Sequence, residues 1–502
     1  MSLSDILLQP QSIAVVVLCL TLLAVIHKHL QRPSDLPPGP PGHWLLGNIL
    51  PESFAYRKFE EWTKEYGPVF SLRQGTRTII VVGRVQAAME IMEKEGASLA
   101  DRPLSIAAGE TLSGGMRVLL TPAGDRFKKL RRALHQRLQS KVVSTDSPTL
   151  MRHARNHILD LIDSPELHQD HAKRYSAAVV MALAYGKDPE SYHDPEVQAV
   201  NRCLTRLGLN MRPGLWKVDV YPWLRYIPGY MRELKDGHRE ELQLFKSQLQ
   251  MVRDKMTTNQ APHSFAKYLL ERQADLELSD DEMSYLAGAL FGAGSDTTAS
   301  AISVSIMAAA CYPETQKKVQ EELDAVVGPD RPPTMDDQDM LPQTMAFVLE
   351  TMRWRPVSAG GFAHKATRDI FWGNYRIPKG ASVIGNIWSI GRDPAVYPDP
   401  ETFNPQRWLN EEGRLREDMR TFSWGSGRRV CPGQHIATNS VFLNTALIQW
   451  AFSLSTDPAH PIDVLAFTES ANTHPLPFKV VFEPRAPGGS EGLREVMEGY
   501  GQ

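Results

Sequence analysis

A cysteine near the C-terminal end of the chain lies in a loop whose residue types could hold a reactive sulfur. Cys431 is followed by Pro432 and Gly433 and preceded by Arg429, within a Gly-rich run from 422 to 433. A backbone curled around sulfur can aim N–H groups at it, which favours thiolate over thiol, and glycines permit such curling. This thiolate would be a metal ligand or a nucleophile, and Arg429 suits a cofactor that carries a carboxylate. The alternative is a buried structural cysteine, against which the density of special residues argues.

A second candidate lies in the apolar segment 286–298, where Asp296 and Thr297 place a carboxyl group beside a hydroxyl. Three glycines interrupt this segment, and each costs roughly 1 kcal/mol relative to alanine inside a helix. Close approach of a flat ligand or a local opening of the helix would account for them, and a helix-packing groove is the alternative. The threonine hydroxyl can bond to a carbonyl one turn earlier.

Charged residues form two further groups. Glu350 and Arg353 are spaced to share one helical face, and Arg407 follows downstream in a Phe-Asn-Pro-Gln-Arg segment. The stretch 125–132 is strongly basic, which alone indicates a solvated surface. His364, which follows the helix of Glu350, would by itself be a weak candidate for any role.

In order along the chain, these segments resemble the cytochrome P450 family. The cysteine loop fits the pattern Phe-x-x-Gly-x-Arg-x-Cys-x-Gly at Gly427, Arg429, Cys431 and Gly433, with Trp424 where the family usually has Phe. The resemblance covers almost the whole chain and implies a mainly α fold with small β-sheets, the haem-thiolate fold. It implies haem b with Cys431 as the axial metal ligand. It also implies O2 as co-substrate and electrons from NADPH through NADPH–cytochrome P450 reductase, with cytochrome b5 as a further candidate donor.

The resemblance assigns roles to the remaining groups. Asp296 and Thr297 would be catalytic, because cleavage of the O–O bond requires protons in a largely dry pocket. The family joins the equivalents of Glu350, Arg353 and Arg407 in a buried structural triad. Cations would bind the haem propionates, and the residues predicted for this purpose are Arg131, Arg429, His364 and Lys128, the last compensating for Phe127 in place of the usual Trp.

Two predictions concern the surroundings of the haem. We expect Trp424 to shield the thiolate and hypothesise that its indole N–H donates a hydrogen bond to the Cys431 sulfur and raises the iron potential. Small residues of the 286–298 segment would leave room above the haem, with helix packing as the alternative. The resemblance places the substrate pocket beside residues that include Phe291, Ala293, Val357 and Phe362, which favours a bulky apolar substrate.

Composition is consistent with one large globular domain and gives no support to nucleic-acid binding. The net charge is −3, 42% of the residues are hydrophobic, and the four cysteines lack metal-finger spacing. The patterns predict helices over 240–256, 283–310, 313–327 and 341–354, and strands near 69–72, 78–82 and 383–387.

The N-terminal segment has the composition of a membrane anchor. Residues 13–26 are nearly all apolar, and the positive-inside tendency of the flanking residues places the body in the cytosol. A cleaved signal peptide is the alternative, but the start lacks Lys and Arg. We predict an anchor at 1–30, a Pro-rich hinge at 31–45, a catalytic domain at 46–486 and a flexible tail at 487–502. The predicted location is the endoplasmic reticulum membrane, with a single-pass anchor and a cytosolic catalytic domain.

The sequence therefore predicts a monooxygenase that oxidises a bulky hydrophobic small molecule such as a terpenoid, steroid or polyketide. Several short segments look like fungal microsomal members of the family, many of which serve secondary metabolism. Two alternatives remain open at this stage. One is an isomerase or dehydratase of the same fold that needs no reductase, and the other is a non-catalytic haem sensor.

Overall fold

The structure is a computed structural model. It describes residues 14, 16–18, 20–21, 35–43, 46–51, 53–75, 77–189, 191, 193–212 and 214–501. The predicted anchor, residues 1–30, lies almost entirely outside these described residues. Within the described ranges, no helix combines the length and apolar character needed to cross a membrane.

Helices form most of the body. The α-helices of seven or more residues are α1 Ala55–Tyr66, α2 Asp125–Leu138, α3 Ser147–Asp163, α4 His168–Tyr185, α5 Pro195–Asn210, α6 Arg232–Thr257, α7 Phe265–Glu271, α8 Asp280–Cys311, α9 Pro313–Val326, α10 Pro342–Trp354, α11 Gln434–Ala451 and α12 Gly489–Glu498. Shorter π- and 3-10 segments connect them, including the π-helix Ile106–Leu112 and the 3-10 turn Gly427–Arg429. The four predicted helices correspond to α6, α8, α9 and α10.

Within the described residues, three small sheets accompany the helices. Their strands are β1 Val69–Gln74, β2 Arg77–Val82, β3 His364–Lys365, β4 Ile370–Trp372, β5 Tyr375–Ile377, β6 Ser382–Gly385, β7 Phe452–Thr456 and β8 Val480–Pro484. The first sheet has the order β1-β2-β6-β3, in which β2 and β6 run parallel, and the other two are antiparallel pairs. The three predicted strands correspond to β1, β2 and β6.

Helix α8 forms the centre of the molecule. A capping box of Ser279 and Glu282 starts it, and three acidic residues in the first turn complement the positive end of the helix dipole. Most of its side chains are buried, so it is apolar on nearly every face, as expected of a helix surrounded by others. It supplies residues to both of the largest hydrophobic clusters, between which it passes.

The glycines of α8 serve helix packing. A Cβ at Gly292 would lie 2.8 Å from Leu204 on α5, and one at Gly294 would lie 2.6 Å from Val180 on α4. At Gly288 a Cβ would overlap the Phe245 ring of α6. The packing alternative therefore accounts for these three glycines, which do not keep space open for a ligand.

Two terminal segments are packed more closely than the sequence suggests. In the hinge, Ser71 N–H of β1 donates to Pro38 O at 2.8 Å, and Arg376 binds Asp35 at 2.6 Å, so this part lies against the sheets. The segment predicted as a flexible tail contains helix α12, whose Leu493 and Met497 are fully buried. The apolar side chains of this helix recur at helical spacing. Because the glycines and charged residues of the segment were given more weight, no helix was predicted there.

Candidate active site

The Cys431 loop is a constrained turn that leads into helix α11. The backbone N–H of Cys431 donates to Trp424 O at 2.8 Å, which closes the loop. Gly427 has φ +58°, and a Cβ there would lie 2.9 Å from the Cα of Gly96, so this position requires glycine. Burial raises the pKa of the Cys431 thiol, whereas the Gly433 N–H and the charge of Arg131 lower it. The surroundings thus contain two groups that stabilise a thiolate, opposed by desolvation.

Two arginines that the sequence predicted to bind propionates, Arg131 and Arg429, lie at this loop. Arg131 of α2 donates to Val430 O at 2.5 Å, one residue before the cysteine. The side chain of Arg429 extends toward the segment before α2, where it donates hydrogen bonds to backbone carbonyl groups. Its guanidinium donates to the carbonyl oxygens of Ala100, Val118 and Thr121 at 2.7, 3.2 and 2.8 Å.

Arg102 joins this group, although the sequence reasoning missed it. Its side chain, which is 6% exposed, donates to the carbonyls of Leu119, Phe362 and Ala363. Burial lowers its pKa to about 9, and the nearby charge of Arg429 adds to this effect. The signal available in the sequence was an Asp-Arg-Pro triplet outside any helix, which is too common to single out.

His364 lies beside the same arginines. Burial and the positive charge of Arg102 lower its pKa to about 4, and its Nδ1 lies 2.6 Å from Leu99 O. Among the residues that the structure describes, Arg102, Arg131 and Arg429 form no ion pair with a carboxylate. One buried and two half-buried arginines without an acidic partner suit a ligand that brings its own negative charges, as the two propionates of haem would.

Lys128 does not belong to this cluster. Its side chain is 72% exposed and pairs with Asp125 at 3.0 Å, one turn earlier on α2. Lys128 and Arg131 lie on nearly the same side of α2, but the lysine is in the first turn, where its side chain extends into solvent. The prediction that Lys128 compensates for the missing indole is not supported by this placement.

The middle of α8 has one open face. Ala293 is exposed although it lies between the buried Phe291 and Ser295, and the Thr297 hydroxyl donates to Ala293 O at 2.8 Å. Val357 and Phe362, predicted pocket residues, are half-buried. Phe291 is not on this face: it is 1% exposed and packs against the Tyr185 ring in the core, contrary to the prediction. Residues 291 and 293 are some 200° apart around a helix, so only one of them can face a given cavity.

Asp296 and Thr297 contact different parts of the protein: the Thr297 hydroxyl bonds within α8, whereas the Asp296 carboxylate contacts another element. Its two carboxylate oxygens are bonded by side chains of the turn between β7 and β8, His474 at 2.8 Å and Asn472 at 3.2 Å. Neither side chain was singled out from the sequence, because a histidine and an asparagine in a loop 176 residues away carry no local signal.

The charged residues Glu350, Arg353 and Arg407 meet in a fully buried network. Both oxygens of Glu350 accept hydrogen bonds from Arg353, at 2.8 and 2.7 Å, and Arg407 Nε lies 3.2 Å from Glu350 Oε1. The indole of Trp408 donates to Glu350 at 2.9 Å and so completes the coordination of the carboxylate. Trp408 is thus a further member of this buried network, and the sequence pattern of the triad did not predict it.

Trp424 contributes its backbone to the cysteine loop and its side chain to the core. The indole packs against the largest hydrophobic cluster, and within the described chain no hydrogen bond joins it to the Cys431 sulfur. The placement matches a covering role for the ring. The proposed hydrogen bond to sulfur has no counterpart in this geometry.

Comparison with known proteins places these features in a family. The cytochrome P450 family model matches residues 37–482. The chain is 55% identical to cytochrome P450 monooxygenase 113 of Postia placenta, over 95% of this chain and 96% of that protein. It is 54% identical to monooxygenase 88 of the same fungus, over 92% and 94% of the two chains, and 34% identical to a cytochrome P450 monooxygenase of Armillaria gallica, over 91% and 92%.

The chain therefore belongs to the cytochrome P450 family, and it is a monooxygenase of that family with fungal relatives. This confirms the resemblance and the fold class that the sequence predicted. Members of the family are oxidoreductases that use a haem-thiolate centre, O2 and electrons from a reductase.

Proposed function

We propose that Cys431 binds haem b and that Arg102, Arg131, Arg429 and His364 hold its propionates. The observation that carries this proposal is that Arg102, Arg131 and Arg429, which have no acidic partner among the described residues, lie around the loop of a half-buried thiol to which a backbone N–H donates. Haem held by a thiolate supplies O2 activation and insertion of one oxygen atom into substrate. Gly433, directly after the proline that follows the ligand, presents a backbone N–H to the sulfur.

The chain's own residues would handle protons on the opposite side of the pocket. The Thr297 hydroxyl donates to Ala293 O, which leaves its oxygen lone pairs free to accept from a water on the open face of α8. Hydrogen bonding to His474 and Asn472 holds the pKa of Asp296 below its ordinary value against the effect of burial. An ionised carboxylate next to a hydroxyl can pass protons from outside to the pocket.

The substrate we propose is a bulky hydrophobic small molecule of the terpenoid, steroid or polyketide type, in fungal secondary metabolism. Support comes from the apolar character of the open face, where Ala293, Val357 and Phe362 provide no charged group to recognise a polar substrate. The fungal relatives agree with this setting.

A membrane location is supported by an exposed apolar patch. Asp219 accepts a hydrogen bond from Arg77 and Gly75 N–H donates to Leu46 O, so the segment after α5 and the N-terminal segment lie beside the same β1–β2 turn. Large exposed apolar side chains cluster in these segments: Leu46, Ile49, Val220, Tyr221, Trp223, Tyr226 and Ile227. Exposed apolar side chains in neighbouring segments suit a lipid bilayer, and with the anchor they would hold the body at the cytosolic face of the endoplasmic reticulum.

The electron donor would bind on the other side of the molecule, behind the cysteine. Arg131 ties α2 to the cysteine loop, and Arg132 of α2 and Arg428 of the loop are both exposed, which leaves positive charge on the surface near the junction of these two elements. This basic surface is complementary to an acidic partner, and we propose it as the docking site for NADPH–cytochrome P450 reductase or cytochrome b5.

Expression in yeast microsomes with a reductase tests the proposal. Candidate terpenoids, steroids and polyketides are supplied, and metabolites are compared with those of the Cys431→Ala variant. We expect the carbon monoxide spectrum of a thiolate-bound haem, and an NADPH-dependent product that carries one added oxygen atom, both absent from the variant. Haem retention with full oxidation by Cys431→Ala would overturn the ligand assignment, and turnover of polar compounds alone would overturn the substrate class.

A further inference from the structure

Asp296 is held at both of its oxygens by a turn that is remote in sequence. His474 Nε2 lies 2.8 Å from Oδ1, and Asn472 Nδ2 donates to Oδ2 at 3.2 Å. The His474 side chain is 23% exposed and that of Asp296 is 32% exposed, so water can reach both members of the pair. Two side chains of one turn thus hold the two oxygens of a single carboxylate.

The turn that carries these two residues is itself held in place. Thr473, between them, donates its N–H to Val357 O at 2.7 Å, and its carbonyl accepts from Ser300 of α8, also at 2.7 Å. The Ser358 hydroxyl donates to Asn472 Oδ1 at 2.9 Å, which orients the amide so that its N–H₂ group faces Asp296. The backbone of the turn and the Asn472 amide are therefore held in place by contacts within the protein.

The charges around Asp296 come from two elements. Burial raises its pKa, whereas the hydrogen bond and charge of His474, the hydrogen bond from Asn472 and the charge of Lys173 on α4 lower it, and the lowering prevails. The residues 356–358 that pack on the turn contain no titratable group. His474 is the ionisable side chain in direct contact with the carboxylate, and an imidazole ring can both accept and donate a proton through its nitrogens.

We propose that His474 is a positioning residue for the oxygenation reaction, which fixes the Asp296 carboxylate and supplies it with protons from solvent. This inference rests on the proposed role of Asp296. In the transfer, an imidazolium gives its Nε2 proton to Asp296 Oδ1, and the neutral ring then regains a proton from water or buffer. Asn472 retains its hydrogen bond to Oδ2 throughout, so that the carboxyl group does not rotate when its charge changes.

Two substitutions at His474 distinguish its role in holding the Asp296 carboxylate from its role in supplying protons to it. His474→Gln keeps an N–H donor but cannot exchange protons in this way, whereas His474→Phe removes both functions. His460→Gln is the matched control, because His460 pairs with Asp457 at 2.6 Å in the same β7–β8 connection. All variants are purified with haem, and the carbon monoxide spectrum confirms an intact centre.

The first readout is the infrared absorption of the Asp296 carboxyl group during a pH titration, assigned by its loss in Asp296→Asn. We expect the midpoint to rise most in His474→Phe, which removes both the hydrogen bond and the charge, and less in His474→Gln, which removes only the charge. The second readout is NADPH oxidation with the reductase in H2O and D2O, which needs no identified substrate. We expect about a tenfold slower rate and a larger solvent isotope effect in both His474 variants. A change of about tenfold is at the lower end of the effect on activity when a residue that orients a functional group is replaced.

The outcomes distinguish this inference from the proposed function on which it rests. If Asp296→Asn leaves the rate and the isotope effect unchanged, the relay role of Asp296 is wrong. If Asp296→Asn slows oxidation but both His474 variants behave like His460→Gln, only the inference about His474 is overturned. If His474→Gln keeps the full rate while His474→Phe loses it, His474 holds the carboxylate but does not supply its protons, and that half of the proposal fails.

Discussion

The guanidinium of Arg429 lies over the ring of Phe127, with 3.5 Å between its central carbon and the ring centroid. Phe127 is 7% exposed and occupies the position where the family usually has tryptophan. Because the face of an aromatic ring is negative, it stabilises a cation that has no carboxylate partner. The aromatic ring at this position therefore supports the arginine that we place at a propionate, and the absent indole N–H is not needed for that purpose.

Replacing Phe127 with leucine should weaken the Arg429 site while keeping most of the apolar volume. We expect a loss of about 1–2 kcal/mol in the free energy of unfolding, from the cation–π contact, and a reduced haem content. Phe127→Trp retains an aromatic face and should keep the haem content. Thermal unfolding and haem absorbance per protein measure both effects. Equal behaviour of the leucine and tryptophan variants would show that the ring acts only as apolar filling.

Glu350 should be the least replaceable residue of the buried network. Glu350→Gln leaves Arg353 and Arg407 without a counter-charge, and removal of one partner of a buried pair costs roughly 3–5 kcal/mol. We expect little soluble, haem-containing protein from this variant.

A milder substitution keeps this prediction testable if Glu350→Gln does not fold. Trp408→Phe keeps an aromatic ring but removes the indole donor to Glu350 and part of the buried ring system, and should cost at least about 1 kcal/mol in thermal unfolding. Asp418→Asn, in the exposed pair with Arg416, is the control and should leave the melting temperature unchanged. A Trp408→Phe variant as stable as the control would mean that the indole bond is dispensable.

The sequence predicted what depends on short-range pattern. The long helices, the strands β1, β2 and β6, and the order of Cys431, Glu350 and Asp296 along the chain all follow from periodicity or a local motif. What it could not predict depends on distant partners. The role of Gly288 is decided by a phenylalanine of α6, and the His474 contact joins residues far apart in sequence. Lys128 and Phe291 were misplaced because a motif gives spacing but not the direction of a side chain.

Acidification should destabilise the protein through a histidine far from the cysteine loop. Burial lowers the pKa of His157 from its ordinary 6.5 to about 4, and its Nδ1 lies 2.6 Å from Asn444 Oδ1. The unfolded chain binds a proton below about pH 6.5 that the folded protein does not accept until about pH 4. This contribution to stability is complete above pH 6.5 and is lost toward pH 4, on the order of 3 kcal/mol.

His157→Asn should make stability less dependent on pH. Asparagine can donate to Asn444 as Nδ1 does but does not titrate. At pH 8, the difference in the free energy of unfolding between variant and parent, measured with denaturant, gives the pH-independent cost of the smaller side chain. The further change in each protein from pH 8 to pH 5 then reports the protonation of His157. We expect the variant to lose less stability over this interval than the parent. An identical loss in both proteins would assign the acid sensitivity to other groups.

The packing role of the α8 glycines predicts a specific cost at Gly288. Gly288→Ala forces a methyl group into the Phe245 ring, and overpacking of this kind costs about 1–3 kcal/mol. Phe245→Leu in the same chain should recover part of the loss, because the two positions share one contact. Gly360→Ala is the control, since its nearest neighbour would be the Tyr56 Cβ at 3.8 Å, an ordinary contact. If Gly288→Ala kept the melting temperature but lost haem or substrate binding, the glycine would serve the pocket, and the packing account of α8 would be wrong.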